Sequence, residues 1–126
     1  MEVQNVEKVI VELRGCRVIM DYDVAKLYGV ETKRVNEAVR NNPEKFPEGY
    51  VLEVTKEEFK GLRSKFSTLN MTSRGRHTKY PPKAFTEKGL YMLATILKSP
   101  FATQTTIAIV ETFARLRELT RMVSMI

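Results

Sequence analysis

Residues 21–42 read DYDVAKLYGVETKRVNEAVRNN. This stretch predicts two short helices joined by a tight turn, the pattern of a helix-turn-helix. Ala25 precedes Gly29 by four residues and Val35 follows it by six, so the small residue lets the second helix pack closely while Val35 anchors it. Gly29 supplies the left-handed backbone that a sharp turn needs. Such a unit usually presents its second helix to the major groove of DNA.

The second helix of this stretch is predicted to have one apolar and one polar face. Its apolar residues recur three and four positions apart, as on an inward-facing side. The opposite side carries residue types that suit base edges, since Arg or Lys donates to guanine, Asn pairs with adenine and Glu accepts from cytosine. The predicted base readers are Lys33, Asn36, Glu37 and Arg40. The alternative is an ordinary solvated helix face, because polar stripes are normal on amphipathic helices.

Further contacts to a nucleic acid are predicted at the phosphates. Arg34 and Asn41 flank the base-reading stripe and are expected to hold phosphates. The segment 73–83, SRGRHTKYPPK, contains basic residues and no acid, and it suits a phosphate-binding arm or a minor-groove probe. Its predicted phosphate contacts are Arg74, Arg76 and Lys79. The alternative for this segment is a solvated surface loop.

Bulk properties narrow the class of protein. The chain has 126 residues, enough for one domain with one core, and 43% of them are hydrophobic, as in a globular protein. A net charge of +6 favours a polyanionic partner. Cys16 is the only cysteine, which excludes an internal disulfide and agrees with a reducing compartment. No signal peptide and no run of about 18 apolar residues is present, so we expect no membrane partner.

The segments around the central stretch predict short strands. β-branched runs at 8–13 and 17–20, on either side of Arg14-Gly15-Cys16, indicate a hairpin. Residues 42–49 contain two prolines and a glycine and indicate a loop. Residues 50–54, YVLEV, alternate as a strand does.

Helix starts are also marked in the sequence. Asp21 is expected to cap the first helix. Thr55 and Glu58 are spaced as a capping box, and Thr86 marks a second start of this kind. The Thr86 helix is expected to stop at Ser99-Pro100 and to bury Leu90, Leu93, Ala94 and Leu97. The last predicted helix runs from about 100 to 122.

That last helix carries apolar residues near a heptad spacing, namely Ile109, Phe113, Leu116 and Val123. It can pack on the core, contact a second copy, or form the stem of a linker. The predicted fold class is therefore a small α+β domain with a helix-turn-helix, a hairpin plus one or two further strands, and about five helices. Residues 1–126 are expected to form a single domain, in which 100–126 is an interface or a linker stem.

Catalysis is poorly supported by the sequence. His77 is the only histidine, and no nucleophile–base set can be built around it or around Cys16. Metal clusters need several imidazole or thiolate ligands, and a phosphate-binding glycine loop is missing. We therefore expect no enzyme activity, no metal and no cofactor.

Four segments occur in an order that resembles a known family, over roughly residues 8–118. They are RVIMDYDVAKLYGVETKRVNEAVRNNPEKFP, VLEVTKEEFKGLR, KYPPKAFTEKGLYMLATIL and IVETFARLRE. The chain resembles the ORF6N domain, which is related to the KilA-N and Bro-N domains of phages and large DNA viruses. The family pattern falls on Asp21, Ala25, Leu27, Tyr28, Val30, Lys33, Asn36, Arg40, Phe46, Pro47, Phe85, Thr86, Glu87 and Gly89.

The resemblance implies a DNA-binding domain, often of phage antirepressors or related regulators, without enzymatic activity. The predicted function is sequence-specific binding of double-stranded DNA by a phage or prophage regulator or antirepressor. It implies a location in the bacterial cytoplasm, on the nucleoid, and a variable C-terminal domain often follows such a domain. Further partner hypotheses are a homodimer and a repressor protein. The alternative function is an antirepressor module that sequesters a repressor through its C-terminal helix.

Overall fold

A computed structural model describes residues 3–65 and 81–125, and within them four short strands form one antiparallel sheet in the order β1-β2-β4-β3. The strands are β1 (Ile10–Leu13), β2 (Cys16–Met20), β3 (Val51–Glu53) and β4 (Lys83–Thr86). The predicted hairpin is confirmed, since Leu13 pairs with Cys16. Arg14 and Gly15 between them both have positive φ (54° and 79°), as a two-residue type I′ turn requires.

Six α-helices accompany the sheet in these described residues, which confirms the predicted α+β class. They are α1 (Val3–Glu7), α2 (Asp21–Tyr28), α3 (Thr32–Asn41), α4 (Lys56–Lys65), α5 (Glu87–Ala94) and α6 (Ala102–Ser124), with a single 3₁₀ turn at Pro43–Lys45. The sequence pattern did not indicate α1 or the position of β4.

The boundaries of α5 and α6 differ from the prediction. α5 ends at Ala94 rather than at Ser99. After Ala94 the chain tightens, since the backbone N–H groups of Thr95 and Ile96 bond the carbonyls three residues before them, at 3.0 and 2.9 Å. Leu97 is nevertheless buried, as predicted, whereas Ala94 is only half-buried. α6 begins at Ala102, two residues after the expected start.

The predicted capping box is confirmed and the predicted Asp21 cap is wrong. The Glu58 backbone N–H donates to Thr55 Oγ1 (3.0 Å), and the Thr55 N–H donates back to the Glu58 carboxylate (2.9 Å). At α2 the N-cap position is Met20, without a side-chain cap. β2 runs directly into α2, so Asp21 is already the first helical residue, and its carboxylate bonds Asn36 and the backbone of Lys83 instead.

The predicted helix start at Thr86 is also confirmed, since Thr86 Oγ1 accepts from the Gly89 N–H (3.3 Å). The same hydroxyl donates to the backbone carbonyl of Gly49 (2.9 Å), which ties the start of α5 to the loop before β3. A Cβ atom at Gly89 would lie 2.0 Å from the carbonyl oxygen of Tyr50. This close backbone contact explains why glycine is required there.

The sheet buries side chains on both faces, because successive residues of a strand point to opposite sides. Ile19 and Phe85 belong to the larger core, which also contains residues of α2, α3, α5 and α6. Val18, Met20 and Ala84 belong to the smaller core on the other face, against which α4 packs. α2 and α3 therefore rest on the larger core.

The last four carbonyl groups of α2 all accept hydrogen bonds, although a helix end leaves them without intrahelical partners. Two of the donors are in the turn: the Gly29 N–H bonds Lys26 (3.2 Å) and the Val30 N–H bonds Ala25 (3.0 Å). This is the Schellman arrangement, with Gly29 in the left-handed region at φ 70° and ψ 34°.

The other two donors come from the C-terminal part of the chain. The Ser99 hydroxyl donates to the carbonyl of Tyr28 (2.9 Å), and the Thr105 hydroxyl donates to that of Leu27 (2.8 Å). The Tyr28 hydroxyl lies 2.7 Å from the Thr106 hydroxyl. The start of α6 is thus fixed against the end of α2.

We expect Thr105→Val to lower the free energy of unfolding by about 1–3 kcal/mol, because the carbonyl of Leu27 loses its donor in a buried place while the shape of the side chain is kept. Urea unfolding followed by circular dichroism measures the change. Thr103→Val is the control, since Thr103 is exposed on the same helix. Equal effects of the two substitutions would contradict the role given to the Thr105 hydroxyl.

Glu58 joins the start of α4 to the β1–β2 turn and gives a pH prediction. Arg14 donates to both carboxylate oxygens of Glu58 (2.7 Å each). These bonds, followed by that from the Thr55 backbone, lower the pKa of Glu58 to about 2. Since this pKa is depressed in the folded state, the stabilisation is present above the unfolded pKa of about 4.3 and is lost as the pH falls towards 2.

We expect Glu58→Gln to flatten the dependence of the urea midpoint on pH between about pH 5 and pH 2. The glutamine keeps an oxygen for the Thr55 N–H but loses the ion pair with Arg14. Glu57→Gln, at the exposed neighbouring position, should keep the wild-type slope. A wild-type slope in the Glu58 variant would show that the ion pair does not contribute.

Candidate nucleic-acid interface

The predicted inward face of α3 is confirmed in the larger core. Val35 is fully buried and Ala38 nearly so, and both pack with Val24 and Ala25 of α2. Val39 is partly buried against the same cluster. The opposite side of α3 is therefore left to face outward.

The structure brings the six α3 residues of the predicted site onto one short helix, but their environments differ. Lys33, Arg34, Arg40 and Asn41 are exposed, whereas Asn36 and Glu37 are half-buried. The helix carries three cations against one carboxylate, which gives it a net positive charge. Arg40 lies in the last turn, where a cation interacts favourably with the helix dipole.

The arginines of α3 differ from the other arginines of the described chain. Seven arginines have described side chains, and five donate to a partner within the protein: Arg14 to Glu58, Arg17 to Thr120, Arg115 to Glu7, Arg117 to Glu87 and Arg121 to Glu118. The guanidinium groups of Arg34 and Arg40 form no hydrogen bond or ion pair with any described residue. Two guanidinium groups on the exposed side of α3 are thus available to an external acceptor.

Asn36 differs from the rest of the stripe. Its Nδ2 donates to Asp21 Oδ2 (3.1 Å), and its Oδ1 is closed off from solvent without a partner among the described residues. Asp21 is itself only 5% exposed. The NH₂ group of Asn36 is bound by Asp21 and its oxygen is closed off from solvent, whereas Arg40 is exposed.

The basic segment 73–83 is described only at its exit. Arg74, Arg76 and Lys79 lie outside the described residues. At the exit, the Lys83 N–H donates to Asp21 Oδ2 (3.1 Å), the oxygen that also accepts from Asn36. β4, which begins at the end of the basic segment, is therefore linked to the middle of α3 by two hydrogen bonds that share the same Asp21 oxygen.

The residues that hold α2 in place, and through it the candidate interface on α3, were not predicted from the sequence. Ser99 and Thr105 bond the end of α2 across 71 and 78 positions, and Asp21 bonds Lys83 across 62. No local pattern marks such partners. Asp21 lies in the family pattern, which indicated that this residue is important but did not indicate which residues it contacts.

A family model for the ORF6N domain matches residues 8–96, more than half of the chain. The chain therefore belongs to the ORF6N domain family, a phage-type family. The match is shorter than the motifs indicated, since it ends before Ser99 and α6. No curated protein and no solved structure matches the chain. Across the described residues, every helix is too short or too polar to cross a bilayer.

Gly29 provides a test of the turn that orients α3. A Cβ atom at this position would meet the ring of Phe101 at 3.1 Å, in a backbone conformation that costs an L-residue about 1–2 kcal/mol. We expect Gly29→Ala to lower the free energy of unfolding by at least that amount. Gly61→Ala, within α4 and with open space around the new atom, should instead raise it by about 0.5–1 kcal/mol. Urea unfolding of both variants tests the contrast, and a neutral Gly29→Ala would contradict the requirement for a left-handed residue.

Proposed function

We propose that this chain is a sequence-specific double-stranded DNA-binding domain of a phage or prophage regulator or antirepressor. α2, the Gly29 turn and α3 form its helix-turn-helix, and α3 enters the major groove. The observation that carries the proposal concerns the seven arginines whose side chains are described. Only the guanidinium groups of Arg34 and Arg40 have no partner in the described chain, and both residues lie on α3.

An arginine without an intramolecular partner suits phosphate or base recognition, because it breaks no ion pair when the ligand arrives. Lys33 and Arg40 are seven residues apart, which is about 10 Å along the helix axis, or about three base-pair steps. In this proposal Lys33 and Arg40 donate to guanine, and Glu37 accepts from cytosine. Phosphate contacts come from Arg34 and Asn41, and from the basic segment through Arg74, Arg76 and Lys79.

The first experiment is fluorescence anisotropy of the full chain with a randomised duplex pool at two salt concentrations, followed by sequencing of the bound fraction. Salt-sensitive binding with an enriched motif supports the proposal. Salt-sensitive binding without enrichment leaves a nonspecific binder, and the absence of binding at low salt overturns the proposal.

Single substitutions on α3 separate base reading from phosphate binding. We expect Arg40→Ala to lose about 1–3 kcal/mol of preference at one base position. Arg34→Ala should weaken binding to all sequences alike and reduce the salt slope by about one unit. Arg121→Ala, an exposed arginine paired with Glu118 on α6, removes the same charge and should change neither quantity. Identical behaviour of the two α3 variants would contradict the division of roles.

A second candidate function is binding of a repressor protein through the C-terminal helix. The observation that favours it is that every exposed large hydrophobic residue of the described chain lies in or next to α6: Phe101, Ile107, Val110, Leu119, Met122, Val123 and Met125. An apolar helical interface depends little on salt, whereas DNA binding falls steeply with it. Salt-insensitive association that Leu119→Glu abolishes would support this second function.

A further inference from the structure

We propose that Asn36 is a positioning residue held by Asp21, and that it is not a base reader. The reading set of α3 then narrows to Lys33, Glu37 and Arg40. This inference rests on the proposed DNA-binding function and concerns the same helix.

The orientation of the Asn36 amide is set by its neighbour. Asp21 Oδ2 accepts two N–H donors, one from Asn36 Nδ2 and one from the Lys83 backbone, each at 3.1 Å. A carboxylate offers only acceptors, so the amide must turn its NH₂ group towards Asp21. This turns Oδ1 to the other side, where it is closed off from solvent.

Recognition of adenine by asparagine is bidentate and needs the amide oxygen and NH₂ group together on an open edge. Asn36 presents neither group in this way. Turning it outward would remove one of the two described donors of a carboxylate that is 5% exposed. Losing a hydrogen bond to a charged group corresponds to roughly a tenfold or greater loss in an equilibrium constant, so the inward arrangement is favoured.

The link through Asp21 joins three elements that the proposed function uses. Asp21 is the first residue of α2, Asn36 lies in the middle of α3, and Lys83 is both the last residue of the basic segment and the first residue of β4. On α3, Asn36 stands three residues after Lys33 and four before Arg40. Holding Asn36 therefore fixes the height and rotation of both readers relative to β4.

The test is a double-mutant cycle of the full chain with Asp21→Ala, Asn36→Ala and the double variant, read out on the enriched site of the wild type. Binding is measured below the unfolding temperature of every variant, for the site and for each single-base change of it. We expect each single substitution to reduce the preference at all positions by a common factor. The double variant should be no worse than the poorer single variant, in binding and in stability.

Two matched variants sharpen this cycle. Asn5→Ala, an exposed asparagine on α1 outside the proposed binding helix, should leave the base preferences unchanged. Asp21→Asn keeps an oxygen for both donors and should retain most of the binding. If Asp21→Ala does not fold, the comparison of Asp21→Asn with Asn36→Ala carries the test.

Three results overturn the inference. Loss of preference at one base position in Asn36→Ala, with an unchanged profile in Asp21→Ala, would make Asn36 a base reader. Lower stability with unchanged base preferences would give the link a structural role only. A wild-type chain that enriches no motif would remove the proposed function itself, and this failure is recognised before any variant is compared.

Discussion

Helix α2 is held at both of its ends, and the placement of α3 depends on this. An eight-residue helix is marginal by itself, so its geometry must be imposed from outside. At its C-terminal end all four free carbonyls accept hydrogen bonds. The donors are the backbone N–H groups of Gly29 and Val30 and the hydroxyls of Ser99 and Thr105. At its N-terminal end Asp21 bonds β4 and α3. α3 has no side-chain cap at its N-terminal end and packs against this fixed neighbour.

Local signals were sufficient for much of the fold. The Arg14–Gly15 turn, the Thr55–Glu58 capping box and the Thr86 helix start each involve residues within a few positions of one another, and all three formed as predicted. The same holds for Gly29, whose conformation follows from the residue type. The inward face of α3 followed from helical spacing alone.

The remainder depended on partners distant in sequence. Asp21 has the residue type and position of a helix cap, but β2 leads directly into α2, so its carboxylate serves β4 and α3 instead. Asn36 has the residue type of a base reader, yet a buried carboxylate 15 positions away takes its NH₂ group. In both cases the sequence pattern correctly predicted a side chain that forms hydrogen bonds. The tertiary structure determined which group it bonds.

The family match and the structural unit do not end at the same place. The match ends at residue 96, whereas Ser99 and Thr105 supply two of the four donors at the end of α2. α6 is also joined to α5, since Arg117 contacts the Glu87 carboxylate and Tyr91 donates to it (2.6 Å). Burial and this hydrogen bond raise the pKa of Tyr91 to about 12, so the hydroxyl keeps its proton well into the alkaline range. The inner face of α6 thus belongs to the same folded unit as α3, and only its outer face and last turns are left for another molecule.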